Sequence, residues 1–309
     1  MRRLLLILLA ICLFAGASAC NFIKRPPTGG DVTAPVPGPA APDTGEGPAA
    51  TACEEIALRF SEDEWPRVDG ATAFLPFYQE MAARMLGISS EEAGKKVLCS
   101  TTDWAYPYLH QGKVDIVFCL RPSADQVLEA ANAGVRFEEV PFANEGFVFF
   151  VNKNNPVDSL SVQQLHDIYA GKITNWKEVG GSDEPIIAYQ RSEGSGSQTG
   201  LYLHVISPEE VMEPPTERRI GTMGEIIDAV AGYKDAEGAL GYSYRYFVTN
   251  LHYDEKIKML KVDGVYPDYE SVASGSYPLI SDVCAVYRSD EPANSAARKI
   301  AEWCASSQG

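Results

Sequence analysis

Positive charge is what this chain has least of for its size. Its 309 residues carry 26 Lys and Arg against 42 Asp and Glu, a formal net charge of −16. A field of that sign repels nucleic acid and anionic membrane surfaces, which excludes partners held by bulk electrostatics. It also requires any anion site to work by local geometry. Histidine is scarce as well: His110, His166, His204 and His252 are scattered, and no CxxC pair occurs among the seven cysteines. The spacing of a metal site is therefore missing, and neither a metal nor a cofactor is expected. No repeat of about 20 to 50 residues is visible, which sets aside solenoids and propellers.

The first nineteen residues, MRRLLLILLAICLFAGASA, place two arginines before an apolar run and small residues after it. That is the order of a secretory signal peptide, and the run is too short to span a membrane comfortably. Cys20 follows directly, and this junction resembles the lipobox of bacterial lipoproteins, in which the cysteine receives a lipid; Ala17 stands where that family usually carries leucine. Cys20 is accordingly expected to be lipidated and to hold the protein on the extracytoplasmic face of a membrane, with simple secretion as the alternative. Residues 20–52 are rich in proline, glycine, alanine and threonine and cannot bury enough surface to offset the entropy of ordering them, so a lipid-anchored, disordered tether is expected. Loss of residues 1–19 leaves 24 basic and 42 acidic residues, a charge of −18. Cys53, Cys99, Cys119, Cys284 and Cys304 then remain, and they read as small buried hydrophobes with one disulfide at most, Cys284 to Cys304 being the candidate pair.

The rest of the chain alternates short apolar runs with helical patterns. RVDGATAFLPFYQEMAARML reads as a strand end, a turn at Asp69 and Gly70, and a helix with Phe74, Phe77, Met81 and Met85 at core spacing. KKVLCS and VDIVFCL read as buried strands, with TTDWAYPYLHQG between them as a helix closed by Gly112. GFVFFVN is a strand, and SVQQLHDIYAG is a helix begun by the cap Ser161 and stopped by Gly171. EPIIAYQ, GALGYSYRYF, IKMLKV and DVCAVYR are further strands; GSGSQTGLYLHV, GEIIDAVAGY and ANSAARKIAEWCAS are further helices. This alternation predicts the α/β class with mostly parallel sheets flanked by helices.

One stretch carries chemistry: RSEGSGSQTG at 191–200. A strand ending in arginine and followed by Gly-Ser-Gly-Ser at a helix start gathers free N–H groups where the helix dipole favours negative charge. Gly194 and Gly196 let backbone approach a ligand, Ser195 and Ser197 add hydroxyls, Arg191 supplies a planar fork, and Glu193 is available to hold it. A flexible surface loop is the competing reading. A nucleophile turn is not supported, because Glu193 replaces the first glycine of G-x-S-x-G and no partner declares itself; a P-loop fails for want of a lysine after the glycines.

Four stretches together resemble the substrate-binding proteins of phosphate ABC transporters: NPVDSLSVQQLHDIYAGKITNWKEVGG, IIAYQRSEGSGSQTG, GALGYSYRYF and LKVDGVYP. The resemblance runs from about residue 64 to the end. It implies a two-lobed, type II periplasmic-binding-protein fold: residues 53–143 plus 248–309 as lobe 1, residues 144–247 as lobe 2, and crossings near 143–148 and 244–250. It implies an oxyanion, inorganic phosphate first, bound between the lobes by Thr72 and Ala73, by Thr101 and Thr102, and by Arg191, Ser195, Gly196 and Ser197. Open α/β sheets bind ligands at such strand-to-helix turns, although Thr72 and Thr101 read equally well as ordinary helix caps. It further implies a monomer that delivers its ligand to a membrane permease and makes or breaks no bond. One departure stands out. Phosphate-specific members carry an aspartate shortly after the third strand that accepts the ligand's proton, and here Leu120 holds that position with Arg121 next. Asp69, Asp103, Glu145 and Glu193 are the candidates to replace it, and the sequence does not choose among them. A surface sensor or adhesin with the same fold, binding a different oxyanion or small ligand, is the alternative.

Overall fold

The computed structural model describes residues 57–214, 218–232 and 236–306. The signal segment, Cys20, the tether and Cys53 lie outside the described residues. In chain order the strands are β1 Val68–Gly70, β2 Ile116–Leu120, β3 Phe137–Asn152, β4 Ser159–Leu160, β5 Ile187–Ala188, β6 Gln190–Arg191, β7 Arg219–Ile220, β8 Ala239–Tyr244, β9 Ile257–Met259, β10 Lys261–Val262 and β11 Ile280–Arg288. The helices are α1 Leu75–Leu86, α2 Ser90–Ala93, α3 Thr102–His110, α4 Ala124–Asn132, α5 Val162–Tyr169, α6 Gly196–His204, α7 Met223–Gly232, α8 Tyr269–Ala273 and α9 Ala296–Cys304.

The strand order β1-β2-β11-β3-β8-β5 is built around β3, which changes partner partway along. Up to Gly146 it pairs with β11, and from Phe147 it pairs with β8, with β9 alongside its end. The sequence exposes only the second half of this strand. Phe147 to Asn152 is uniformly buried, whereas the first half alternates exposed and half-buried positions and includes Glu138, Glu139 and Pro141. Proline has no N–H for the ladder, and next to it the register slips, so that Val283 faces Ala143 but Cys284 faces Pro141.

The α/β class is as expected, and the sheets are mixed. Parallel pairs β1–β2 and β5–β8 sit beside antiparallel pairs β2–β11, β3–β11 and β3–β8. Successive side chains of a strand point to opposite faces, and β2 shows it. Ile116, Phe118 and Leu120 join the larger core with α1 and α9, while Val117 and Cys119 join a smaller one with Ala105, Tyr106 and Leu109 of α3. The same alternation corrects the disulfide expectation. Cys284 lies in the smaller core, Cys304 in the larger one, and both are free thiols together with Cys99 and Cys119. A bridge needs Cβ atoms aimed at each other, and these two sit on opposite faces of the sheet.

Local chemistry sets most helix ends. Ser123, Ser161 and Ser295 accept from backbone N–H groups three residues on, and Gly112 and Gly171 adopt φ of 67° and 71° just beyond α3 and α5. KKVLCS forms no strand of its own and contributes a single bridge, Val97 to Val68. The run GKITNWKEV serves packing: Asn175 caps a short turn, and Trp176, 1% exposed, donates to the Gly238 carbonyl at 2.9 Å beneath the start of β8. Among the described residues, no helix is long and apolar enough to cross a membrane.

Candidate functional site

Three turns carry the predicted residues: one after β1, one before α3 and one before α6. The first follows β1. Asp69 is wholly buried, and its Oδ1 accepts the N–H groups of Gly70 and Ser100, each at 2.8 Å. The Ala71 N–H is used by the Phe118 carbonyl, so the turn starting at Thr72 presents the N–H groups of Thr72 and Ala73 without an acceptor among the described residues. The Cys99 thiol reaches the Thr72 hydroxyl at 3.9 Å.

The second turn precedes α3. Ser100 is pinned by Asp69, and Thr101 adopts φ 70° and ψ 164°, a conformation all but reserved for glycine that costs about 1–3 kcal/mol. Thr101 makes no side-chain cap, and the cap of the Thr72 turn is Ala71. The reading of these threonines as ordinary caps therefore fails. Thr101 occupies the N-cap position of α3, and the helix's first N–H groups, those of Thr102 and Asp103, follow directly from it.

The third turn precedes α6. Arg191 is 6% exposed. Its N–H donates to Gln198 Oε1 and to the Tyr242 hydroxyl, each at 2.9 Å, and Tyr242 in turn donates to Gln198. Its Nε donates to the Ile220 carbonyl at 3.1 Å and Nη2 to the Gly221 carbonyl at 3.0 Å. Among the described residues Nη1 is buried with no partner, and so is the Ser197 hydroxyl, on a residue 2% exposed. Burial pulls the guanidinium below its ordinary value; Tyr242, Asp103 and Glu225 act in the opposite direction. Ser195 caps α6 by accepting from the Gln198 N–H at 3.2 Å, which leaves its own O–H to donate. Gly194 has φ 79°, and a Cβ on Gly196 would stand 3.0 Å from the Thr102 hydroxyl. The two turns thus face each other at contact distance.

Buried polar groups in proteins are almost always paired. An unpaired guanidinium nitrogen and an unpaired hydroxyl beside a helix N-terminus form a donor-rich hollow suited to an anion with several acceptor oxygens. Arg191, Gly196, Ser197 and Thr102 come together there, with Thr72 and Ala73 at the neighbouring turn. One expectation is corrected. Glu193 does not hold Arg191: it is exposed and accepts from the Tyr202 hydroxyl at 2.7 Å. Two backbone carbonyls and a tyrosine–glutamine pair hold the arginine, and carbonyls carry no residue-type signal by which a sequence could announce them. Leu120 is buried in the larger core, and Arg121 turns away to pair with Glu139 and Asp282, each at 2.8 Å.

The sheet is mixed around one long strand, and two of its strand-to-helix turns face each other beside a buried arginine. Residues 45–308 match the model of the PBP superfamily domain, and the chain belongs to that superfamily. It is similar to the phosphate-binding protein PstS of Bacillus subtilis, with 34% identity over 134 residues, 43% of this chain and 41% of that protein. Protein SphX of Synechococcus elongatus is 25% identical over 74% of this chain and 69% of its own length. The chain thus spans less than half of the Bacillus relative it matches. Among solved structures, one from Clostridium perfringens described as a phosphate ABC transporter substrate-binding protein with bound phosphate aligns with a TM-score of 0.61 at 28% identity, over 79% of this chain and 93% of that one. An ABC-type phosphate transport receptor from Vibrio cholerae aligns with a TM-score of 0.59 at 21% identity, over 78% and 93%, a likeness of fold.

Proposed function

We propose that this protein is an extracytoplasmic solute-binding lipoprotein, anchored through Cys20, that captures inorganic phosphate between two lobes and delivers it to an ABC permease. The lobes are residues 53–143 plus 248–309 and residues 144–247; the exchange of β3 partners between Gly146 and Phe147 supports the first crossing. The ligand is held by Thr72, Ala73, Thr101, Thr102, Arg191, Ser195, Gly196 and Ser197, with Thr101 acting through its backbone. The observation that carries the reading is the pair of buried, unpartnered donors, Arg191 Nη1 and Ser197 Oγ, at the start of α6. The relatives named for phosphate binding supply the ligand's identity. Binding by hydrogen bonds requires no covalent step, and lobe closure presents the loaded form to the membrane partner. The chain acts as a monomer.

Thermal melting of the purified protein in phosphate, sulfate and small carboxylates tests this. A ligand that binds only the native state at about a hundred times its Kd stabilises by about 2.7 kcal/mol. Phosphate raises the melting temperature on this account; a melting temperature unmoved by millimolar phosphate contradicts it.

A further inference from the structure

The helix that opens at the anion turn is seated on the place where β3 changes partner. α6 begins with Gly196 and Ser197 and ends at His204, and it packs on Phe147 of β3 and Tyr244 of β8, which face each other in the strand register. A Cβ on Gly200, midway along the helix, would stand 2.4 Å from the Tyr244 hydroxyl and 2.8 Å from the Phe147 ring. The helix backbone therefore rests directly on these two side chains.

Three polar side chains run along this seat, each bonded to the next. The Tyr244 hydroxyl donates to the Gly196 carbonyl at 2.9 Å. The hydroxyl of Ser281, a residue of β11 that is 4% exposed, hydrogen-bonds to the Tyr244 oxygen. His204 is half-buried, with Nε2 2.7 Å from Ser281 Oγ and its ring stacked on Phe147 at a centroid distance of 5.7 Å. A hydroxyl has one proton to give. Ser281 gives its own to Tyr244, so it accepts from His204, and the imidazole proton sits on Nε2. Burial lowers His204 to about 4, so at neutral pH the ring is neutral and has a single N–H to donate.

We propose that His204, Ser281 and Tyr244 form a one-way hydrogen-bond chain that braces the anion turn from the lobe junction, with Tyr244 and Ser281 as positioning residues for phosphate. The inference rests on the anion-cleft and two-lobe readings above and names the side chains behind the cleft that hold its shape.

Two physical effects give the chain its grip on the ligand. The Gly196 carbonyl shares its peptide group with the Ser197 N–H, which has no intrahelical partner as the second of α6. A hydrogen bond accepted by that carbonyl polarises the peptide and makes the N–H a better donor, and bonds linked in a chain reinforce one another. The second effect is placement. Gly196 is the residue that meets Thr102 of the opposite turn, so fixing its carbonyl fixes the spacing between the turns. Ser281 pairs with Glu145 in the β3–β11 register and belongs to the first lobe, whereas Tyr244, His204 and Gly196 belong to the second. The chain is complete only while α6 is drawn onto β11, and breaking it frees one turn to part from the other.

The test is calorimetric titration of inorganic phosphate at neutral pH into wild type, Tyr244→Phe, Ser281→Ala, their double variant, His204→Phe and His204→Gln, each checked for an intact melting transition. Tyr244→Phe and Ser281→Ala are each expected to weaken binding about three- to tenfold, the worth of one buried hydrogen bond. The double variant should bind as Tyr244→Phe does, because Ser281 reaches the turn only through Tyr244. His204→Phe keeps the stack on Phe147 and loses the donor, so it should match Ser281→Ala; His204→Gln keeps an N–H at the same reach and should recover most of that loss. Phosphate affinity within twofold of wild type in folded Tyr244→Phe and Ser281→Ala overturns the proposal and leaves these residues a role in stability alone. Losses that multiply in the double variant, or equal losses in the two His204 variants, overturn the chain. The His204 arm and the Tyr244–Ser281 arm are independent, so either decides the matter if a variant of the other does not fold. Failure of folded wild type to bind phosphate overturns the cleft itself.

Discussion

Replacing Arg191 with alanine removes the fixed cation of the cleft, and its cost follows from how that side chain is held. The guanidinium is 6% exposed, so water screens it poorly, and Nη1 has no partner among the described residues to lose. A charge-assisted hydrogen bond is worth about 1.5–3 kcal/mol. A unit charge about 4 Å from an anion, at an effective dielectric near 20, contributes about 4 kcal/mol. The two overlap, so the expected loss is about 4 kcal/mol, or about a thousandfold in Kd. Titration of phosphate into Arg191→Ala at fixed ionic strength measures it directly. Arg191→Lys should fall between, because a single ammonium cannot keep the Ile220 and Gly221 carbonyls and also reach the ligand. A melting curve separates binding from folding, since both variants release those two carbonyls. A folded Arg191→Ala protein that binds phosphate within about threefold of wild type refutes the reasoning, since 4 kcal/mol cannot be hidden in so small a change.

Other consequences are equally open to measurement. Thr101→Gly relieves a backbone held at φ 70° and should stabilise the protein by about 1 kcal/mol in urea unfolding, strain relief exceeding glycine's entropy cost; destabilisation would show that the strain is not real. Burial lowers His204 to about 4, so the folded state keeps it neutral while the unfolded chain protonates near 6.5; stability is lost as pH falls through that window, and His204→Gln should flatten the loss. Glu145 is pushed up by burial to about 7, the reverse case for a carboxyl: the folded state holds a proton that the unfolded chain releases, so stability falls as pH rises from about 4.5 to 7, and Glu145→Gln should remove that slope. Alkylation of the unreduced, denatured protein should label Cys99, Cys119, Cys284 and Cys304, and protection of Cys284 together with Cys304 would contradict the fold.

The parts of this architecture that were legible in the sequence are those fixed by local chemistry. Serine caps and left-handed glycines mark helix ends wherever they occur, so α3, α5 and α6 could be bounded from Gly112, Ser161, Gly171 and the Gly-Ser-Gly-Ser run alone. Arg191 beside that run is a local juxtaposition too. What was not legible depends on partners distant in the chain. The first half of β3 is half-exposed and interrupted by Pro141, so nothing in its own residues reveals that it runs on from GFVFFVN as one strand. The antiparallel entry of β11 between β2 and β3 makes the sheets mixed, and no periodicity records strand direction. Cys284 and Cys304 look alike as letters and lie on opposite faces of a sheet.

A built anion site between the two turns, with Arg191 and Ser197 as ready donors, is the proposal on which the rest depends. Calorimetric titration of inorganic phosphate into the purified protein tests it most directly. The account predicts saturable binding of one phosphate per chain, lost in Arg191→Ala and weakened in Ser197→Ala; the absence of any phosphate binding by folded wild-type protein would contradict it.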